Sequence, residues 1–173
     1  MRCRPRRWPA WVTTVACCLV VGCANQVSYV REDHPVYPTD EIFAQGPQAV
    51  WDAAMGVMAS YPLAVHDEAT GVIETEWMFG KSDVTRQVVR EGEDIQSDYV
   101  QIRYRMHLSV TPVGVGTRVA IHQEVLENRP YAKGMRSYYA PDRFVAADSS
   151  TELEHRLLAQ IHRILAGGKT RLG

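Results

Sequence analysis

Six histidines are the residues of this chain best suited to acid–base or metal chemistry. They are His34, His66, His107, His122, His155 and His162. His66 precedes Asp67 and Glu68, but neighbouring side chains in one turn rarely converge on a single ion. His107 and His122 fall on the polar face of two predicted strands, where a solvated, charged sheet surface accounts for them. The histidine pattern therefore predicts neither a metal site nor a general base.

Motifs for nucleophilic catalysis or phosphate binding are also missing from the sequence. No serine lies in a Gly-x-Ser-x-Gly elbow. The sequence has neither a Gly-rich phosphate loop nor an HExxH zinc helix. Carboxylates are abundant, but nothing singles out a pair of them. We predict that the protein is not an enzyme and that it holds no cofactor and no metal.

All the cysteines lie in the first 23 residues. They are Cys3, Cys17, Cys18 and Cys23. The same region opens with four arginines and no acidic residue, and continues with a short apolar run between Thr13 and Asn25. A cationic start followed by such a run is typical of a secretory signal. The run is shorter than the roughly 20 apolar residues of a bilayer-spanning helix.

The end of this run, Val20-Val21-Gly22-Cys23, resembles a bacterial lipobox. The resemblance implies that residues 1–22 are a lipoprotein signal peptide, that Cys23 is alkylated by a diacylglycerol, and that its new amino group is acylated. A soluble-secretion signal with a chance cysteine is the alternative. Because Ala24 follows Cys23 in place of an aspartate, the resemblance also implies transport to a Gram-negative outer membrane, facing the periplasm.

The predicted mature chain is mildly acidic. Removing residues 1–22 leaves 151 residues with 15 basic and 20 acidic side chains. Such a chain lacks the basic face that nucleic acid requires. It also lacks a polybasic grip on anionic lipid, so durable attachment would depend on two or more acyl chains. We expect membrane attachment through the N-terminal lipid and no nucleic-acid partner.

Residues 23–45 are predicted to be the lipidated cysteine and a flexible tether. This segment shows no hydrophobic period and contains Pro35 and Pro38. It therefore cannot bury enough apolar surface to offset the entropy of ordering it. Residues 46–168 are predicted to form one α+β domain, and residues 169–173 a disordered tail.

The domain is predicted to begin and end with a helix. The first starts at Pro47, because proline suits a first-turn position, and ends before Pro62. The second starts near Ser149, with Glu152 completing a capping box, and ends at Gly167. Their apolar stripes are Val50, Ala54, Val57, Met58 and Tyr61 in the first helix and Leu153, Leu157, Leu158, Ile161, Ile164 and Leu165 in the second.

Strands are predicted between the helices. A short strand at residues 63–66 is followed by a turn at 67–71 and by alternation over 72–79, which places Ile73, Thr75 and Trp77 on one face. Residues 84–90 predict a short edge strand. The clearest alternation covers residues 99–110, with even-numbered residues inward, and residues 117–126, with odd-numbered residues inward.

These last two strands predict a hairpin with a defined register. A loop centred between Val113 and Gly114 pairs residues whose numbers sum to an odd total, so that opposed residues share a face. The predicted pairs are Met106 with Ile121, Leu108 with Val119, and Arg103 with Glu124. In this register His107 faces Ala120, and the two strand histidines are diagonal neighbours.

The elements predict a two-layer α+β sandwich, in which an N-terminal and a C-terminal helix cover one face of an antiparallel sheet of about four strands. The segment VWDAAMGVMASYPLAVHDEATGVIETEW, the hairpin and the leucine-rich terminal helix are similar to the helix-grip domains of BamC-type lipoproteins, accessory members of the outer-membrane β-barrel assembly machinery. The likeness covers most of residues 46–166. BamC-type proteins usually carry two grip domains, whereas this chain has room for one.

The connection between residues 128 and 147 is the sharpest candidate for partner binding. Its basic and aromatic residues include Arg129, Tyr131, Lys133, Arg136, Tyr138, Tyr139 and Arg143. Tyrosine and arginine anchor many interfaces, and long loops in compact domains are often functional. Packing of this loop over apolar sheet surface is the alternative.

The sequence therefore predicts an outer-membrane-anchored periplasmic lipoprotein that acts as a non-enzymatic binding or scaffolding module. Its partner would be an outer-membrane or periplasmic protein, in outer-membrane protein assembly or envelope maintenance. The alternative is a carrier of a lipid or small apolar ligand between sheet and helix. Trp51, Met58, Trp77 and Met106 would then line the pocket.

Overall fold

The computed structural model describes residues 26–130 and 142–167, and one antiparallel sheet dominates it. The elements are β1 (Gln26–Arg31), β2 (Asp40–Phe43), α1 (Pro47–Met58), β3 (Leu63–Asp67), β4 (Val72–Thr75), β5 (Met78–Glu91), β6 (Asp94–Val113), β7 (Gly116–Asn128), β8 (Phe144–Ala147) and α2 (Glu152–Leu165). Strands take up 53% of the described residues and helices 20%. The expected sandwich on about four strands is therefore wrong, because the sheet has eight.

The sheet is built around β6, its longest strand. On one side β6 pairs with β7 over residues 102–113. On the other side it pairs with β5 along its first half and with β4 near its second end. β1 extends the sheet beyond β5, and β3 extends it beyond β4. β2 and β8 pair with different parts of β7, and every pairing is antiparallel.

The core lies between the two helices and one face of this sheet. Even-numbered residues of β6 and odd-numbered residues of β7 point toward the helices, as the alternation predicted. Met106, Leu157 and Ile161 are at most 1% exposed. Each buried apolar side chain of this size contributes roughly 1.5–3 kcal/mol. Among the described residues, no helix is long and apolar enough to cross a membrane.

The hairpin of β6 and β7 has the predicted faces but not the predicted register. Its turn is the two-residue loop between Val113 and Gly116, with Gly114 at a φ of 58°. Glycine at the first central position suits such a turn. The turn centre lies one residue later than expected, which shifts every pair by two residues and leaves the faces unchanged. The observed pairs include Met106 with Gln123, Leu108 with Ile121, Arg105 with Glu124 and His107 with His122.

The segment expected to be a flexible tether contributes two strands. β1 pairs with β5 without interruption, from Gln26 opposite Arg90 to Arg31 opposite Thr85. β2 pairs with β7 and places Phe43 in the core at 4% exposure. The expectation of a tether is wrong for these residues. The sheet supplies backbone hydrogen-bond partners that no local hydrophobic period could reveal.

Two further element boundaries differ from the expectations. The alternation over residues 72–79 breaks between β4 and β5, so that Trp77 does not share the buried face of Ile73 and Thr75. The N-cap of α2 is Thr151, with a φ of 63° and no side-chain cap. The Ser149 hydroxyl lies near the side chains of Gln123 and Glu154 and accepts a hydrogen bond from the Thr151 N–H, so the predicted capping box does not form.

Candidate functional site

The sheet face opposite the helices, here called the outer face, carries the polar and aromatic residues that could act on a partner. Its central residues are Arg103, Arg105, His107 and Ser109 on β6, and Ala120, His122, Glu124 and Leu126 on β7. Glu74 on β4 pairs with His107, and Phe79 on β5 pairs with Arg103. Within the described residues both helices pack on the other face, which leaves this one without a helical layer.

An arginine surrounded by aromatic rings lies near the middle of the outer face. The Arg103 guanidinium carbon is 5.1 Å from the ring centre of Trp77, 5.7 Å from that of Phe79 and 5.3 Å from that of Phe144. Phe79 is 76% exposed. These four residues are called the arginine–aromatic patch. Guanidinium groups within about 6 Å of a ring face are attracted by its quadrupole.

Arg103 has no acidic partner among the residues that the structure describes. Its Nε atom is buried and has no hydrogen-bond acceptor. An unpaired buried donor costs about 1–3 kcal/mol. By contrast, Arg86 pairs with Glu32 at 2.7 Å and Arg118 with Asp40 at 2.8 Å. The patch therefore combines the exposed ring of Phe79 and the half-buried rings of Trp77 and Phe144 with a cation that has no carboxylate partner among the described residues.

A charged network adjoins the patch on the same face. The Arg105 guanidinium lies 5.0 Å from the Trp77 ring and donates to Glu124 Oε2 over 2.6 Å. His107 Nδ1 lies 3.0 Å from Glu74 Oε1, and its Nε2 lies 3.6 Å from Glu124 Oε2. The hydrogen bond from Arg105, and to a smaller degree the contact with His107, lower the pKa of Glu124 below its usual value. The network links β4, β6 and β7.

The two strand histidines lie directly opposite each other. The ring centroids of His107 and His122 are 6.3 Å apart and the planes are nearly parallel. The predicted diagonal arrangement is wrong because the hairpin register is shifted. Within the described part of the chain, no three His, Cys, Asp or Glu side chains are arranged to hold a metal ion. The network can hold and orient charge, and no nucleophile lies among its members.

The predicted partner-binding loop lies largely outside the described residues. This applies to Tyr131, Lys133, Arg136, Tyr138 and Tyr139, and Cys23 also lies outside them.

The two ends of that loop are described. The Arg129 side chain donates to the buried Glu127 and lies over the ring of Tyr29. The backbone N–H of Arg129 donates to the Arg143 carbonyl over 2.8 Å. Because Arg143 precedes Phe144, the loop rejoins the sheet at the edge of the arginine–aromatic patch.

The four residues predicted to line a ligand pocket do not line one cavity. Met58 and Met106 are fully buried in the core, and Trp51 joins them there at 7% exposure. Trp77 lies on the outer face under Arg103 and Arg105. An open groove of about 670 Å³ between β2 and α2 is lined by other residues, among them Leu158 and His162.

The alternation of β6 predicts the outward face of Arg103 correctly but does not predict the neighbours that form the patch. Trp77 was expected on the inward face, and Phe144 in the connecting loop. The break between β4 and β5 and the pairing of β8 with β7 bring them together. Trp77 and Phe79, which lie between Glu76 and Gly80, are the available signal, since large aromatic residues at the end of an alternating run are unusual on a solvated face.

No protein-family model matches this chain, and no curated protein matches its sequence. The lipobox and BamC-type resemblances therefore stay predictions.

Proposed function

We propose that this protein is an outer-membrane lipoprotein, anchored through Cys23 and facing the periplasm, whose folded part is a non-enzymatic binding or scaffolding module. The signal-like start and the Val-Val-Gly-Cys sequence support the anchor. A role in outer-membrane protein assembly or envelope maintenance follows from the BamC-type resemblance.

The arginine–aromatic patch is the observation that carries the binding role. Tryptophan and arginine are the residue types most enriched at interface hot spots. Phe79 exposes most of its ring, and Arg103 has a buried donor that lacks an acceptor. A protein partner that packs an apolar side chain on the Phe79 ring and brings a carboxylate to the Arg103 guanidinium would cover the exposed ring and pair the charge. We therefore place the binding surface on the outer face and not in the loop of residues 129–143 alone.

The carrier role is not favoured. Met58 and Met106 are fully buried, and Trp77 lies across the sheet from them. A ligand between sheet and helix would have to displace packed core side chains, at a cost of several kcal/mol.

Site-specific photo-cross-linking in cells tests the binding surface. A photoreactive side chain replaces Phe79, and in a matched control it replaces Val36, which is 87% exposed but lies outside the outer face. We expect one protein adduct at position 79 that is absent at position 36 and disappears when Arg103→Gln is added. Circular dichroism of the purified variant shows whether the fold survives. Equal adducts at both positions, or an adduct indifferent to Arg103→Gln, would contradict the surface.

The anchor is tested separately. Cys23→Ser should abolish labelling by a palmitate analogue and leave residues 1–22 attached, because the lipobox resemblance implies that the signal is cut only before an alkylated cysteine. Normal processing of this variant together with continued membrane retention would rule out the lipid anchor.

A further inference from the structure

The first strand begins very close to the proposed lipid attachment point. β1 starts at Gln26, three residues after Cys23. Each extended residue spans at most about 3.3–3.6 Å, so the two residues are separated by no more than about 10 Å. A tether running to residue 45, as the sequence suggested, would have allowed roughly 80 Å on the same basis. The folded domain is therefore held much closer to the proposed lipid attachment point than the predicted tether would allow.

The strand register shows which end of the sheet lies next to the proposed attachment point. Gln26 pairs with Arg90 on β5, and Arg90 pairs with Ile95 on β6. The turn that joins these two strands, with Gly92 at a φ of 62°, is the tip of the β5–β6 hairpin. β6 then runs away from this tip, and its other end meets β7 at Gly114. The attached end of the sheet and the β6–β7 turn therefore lie at opposite ends of β6, the longest strand.

We propose that the β5–β6 hairpin tip is the membrane-proximal end of the domain, and that the partner of the arginine–aromatic patch presents its binding surface close to the same bilayer. The orientation rests on the proposed anchor at Cys23. Arg103 follows Ile95 by eight residues, which is about 26 Å along a strand. When the roughly 10 Å between Cys23 and Gln26 is added, the patch lies within about 40 Å of the bilayer at any tilt of the domain. A membrane protein with a periplasmic part fits that layer.

The charge of the hairpin tip does not explain why the tip would lie near the bilayer. It carries Glu91, Glu93 and Asp94 against the single cation Arg90. Basic residues, and not acidic ones, are drawn to anionic lipid surfaces. The short segment between Cys23 and Gln26 therefore determines which end of the domain is near the membrane. Lengthening this segment should remove the preference for the hairpin tip facing the bilayer.

Energy transfer to labelled vesicles tests the orientation. Because the mature chain has no cysteine besides Cys23, a single new cysteine can carry a fluorescent donor. One variant is labelled at Glu93→Cys on the tip and the other at Val115→Cys, which is fully exposed on the β6–β7 turn. Each lipidated protein is reconstituted into vesicles of phosphatidylethanolamine and phosphatidylglycerol that contain a headgroup-labelled acceptor lipid.

We expect transfer from position 93 to exceed transfer from position 115 several-fold. A matched control inserts 20 Gly and Ser residues between Asn25 and Gln26, which adds an r.m.s. length of roughly 25 Å and should reduce the difference. Equal transfer from both positions, or stronger transfer from position 115, would overturn the proposed orientation.

Flotation of the same samples separates the two ideas. Protein that fails to float with the vesicles lacks the anchor, and then the proposed function fails together with the orientation. Protein that floats but shows no preference for position 93 keeps the anchor and contradicts the orientation alone.

Discussion

Glu124 is an outer-face carboxyl whose pKa is shifted by its neighbours. Its pKa is lowered, first by the hydrogen bond from Arg105 and then by His107. A carboxyl whose pKa is lower in the folded state stabilises the fold above its unfolded pKa, which is near 4.5, and that contribution disappears as the pH falls through the lowered value. Half-exposed ion pairs contribute only about 0–1 kcal/mol.

We expect Glu124→Gln to lower the free energy of unfolding by a fraction of a kcal/mol near neutral pH, within the range of about 0–1 kcal/mol for exposed pairs. The deficit should shrink as the pH falls below about 4 and the wild-type carboxyl takes up its proton. Urea unfolding across a pH series measures this. Glu68→Gln, in the exposed turn before Gly71, is the matched control. A deficit that stays constant down to the lowest pH would show that the charge of Glu124 is not its source.

Thr151 is the one non-glycine residue in the described ranges with a positive φ, at 63°. A left-handed conformation costs an ordinary residue roughly 1–2 kcal/mol, and a β-branched side chain makes it less favourable. Its hydroxyl accepts a hydrogen bond from the Tyr37 N–H over 2.8 Å. The strained backbone at Thr151 is therefore offset by a hydrogen bond that links the β1–β2 connection to the start of α2.

Two substitutions at this position should act in opposite directions. Thr151→Asn should raise the free energy of unfolding by about 1 kcal/mol, because asparagine tolerates this conformation and retains an oxygen acceptor. Thr151→Val should lower it by about 1–3 kcal/mol, because the strain remains and the Tyr37 N–H loses its acceptor. Urea denaturation monitored by tryptophan fluorescence compares them. An asparagine variant no more stable than the valine variant would contradict this account.

At the scale of elements, the β3–β4 turn is locked against β6. Gly71 has a φ of 69°, and its carbonyl accepts the Val110 N–H over 2.7 Å. A Cβ at position 71 would lie 2.1 Å from the Val110 carbonyl oxygen. Gly92, in the tip of the β5–β6 hairpin, has a similar φ of 62°, but a Cβ there would meet no atom within 4 Å. Substitution of Gly92 therefore tests the cost of backbone strain alone, whereas substitution of Gly71 tests strain together with a steric clash.

Alanine at these two positions should give very different losses of stability. Gly92→Ala should cost about 1–2 kcal/mol, the price of a left-handed alanine. Gly71→Ala should cost that amount and in addition push β6 away from the turn, for a total of about 4 kcal/mol or more, which is exceptional for one substitution. Urea midpoints at constant m-value measure both. Similar losses at the two sites would show that the turn can move away from β6.

Alternation predicted the middle of the sheet because its strands are half-buried over many residues. β7 buries every second residue from Thr117 to Glu127, and β6 does so from Val100 to Val110 except at the half-buried Tyr104. A period of two is visible over such lengths. β1, β2 and β8 have four to six residues each. Such short runs carry little periodic signal, and what orders them is pairing with β5 or β7, which lie far away in the sequence.

The candidate site was harder to predict than the sheet for the same reason. The faces of Arg103 and His107 follow from parity alone, so they were predicted correctly. The neighbours of those residues depend on register, and a turn displaced by one residue moved every cross-strand pair by two. Trp77 and Phe144 reach Arg103 through a strand break and a short edge strand, neither of which has a local signal.

At the scale of the whole molecule, the N-terminal segment decides where the folded domain begins. The sequence suggests a domain starting at Gly46, whereas the sheet already includes β1 and β2. Phe43 is 4% exposed and belongs to the core cluster. Loss of a buried phenylalanine side chain typically costs about 3–5 kcal/mol, and a domain has only about 5–15 kcal/mol of stability in total.

A soluble chain starting at Gly46 should therefore be unfolded or marginally stable, with a free energy of unfolding lower by at least about 3–5 kcal/mol than that of a chain starting at Gln26. Phe43→Ala in the longer chain isolates the core contribution of β2, and a chain starting at Glu32 isolates that of β1. Urea unfolding followed by circular dichroism measures all four proteins. Coincident transitions for the chains starting at Gln26 and Gly46 would mean that the first two strands are dispensable, and that residues 26–45 can act as the loose tether that their composition suggests.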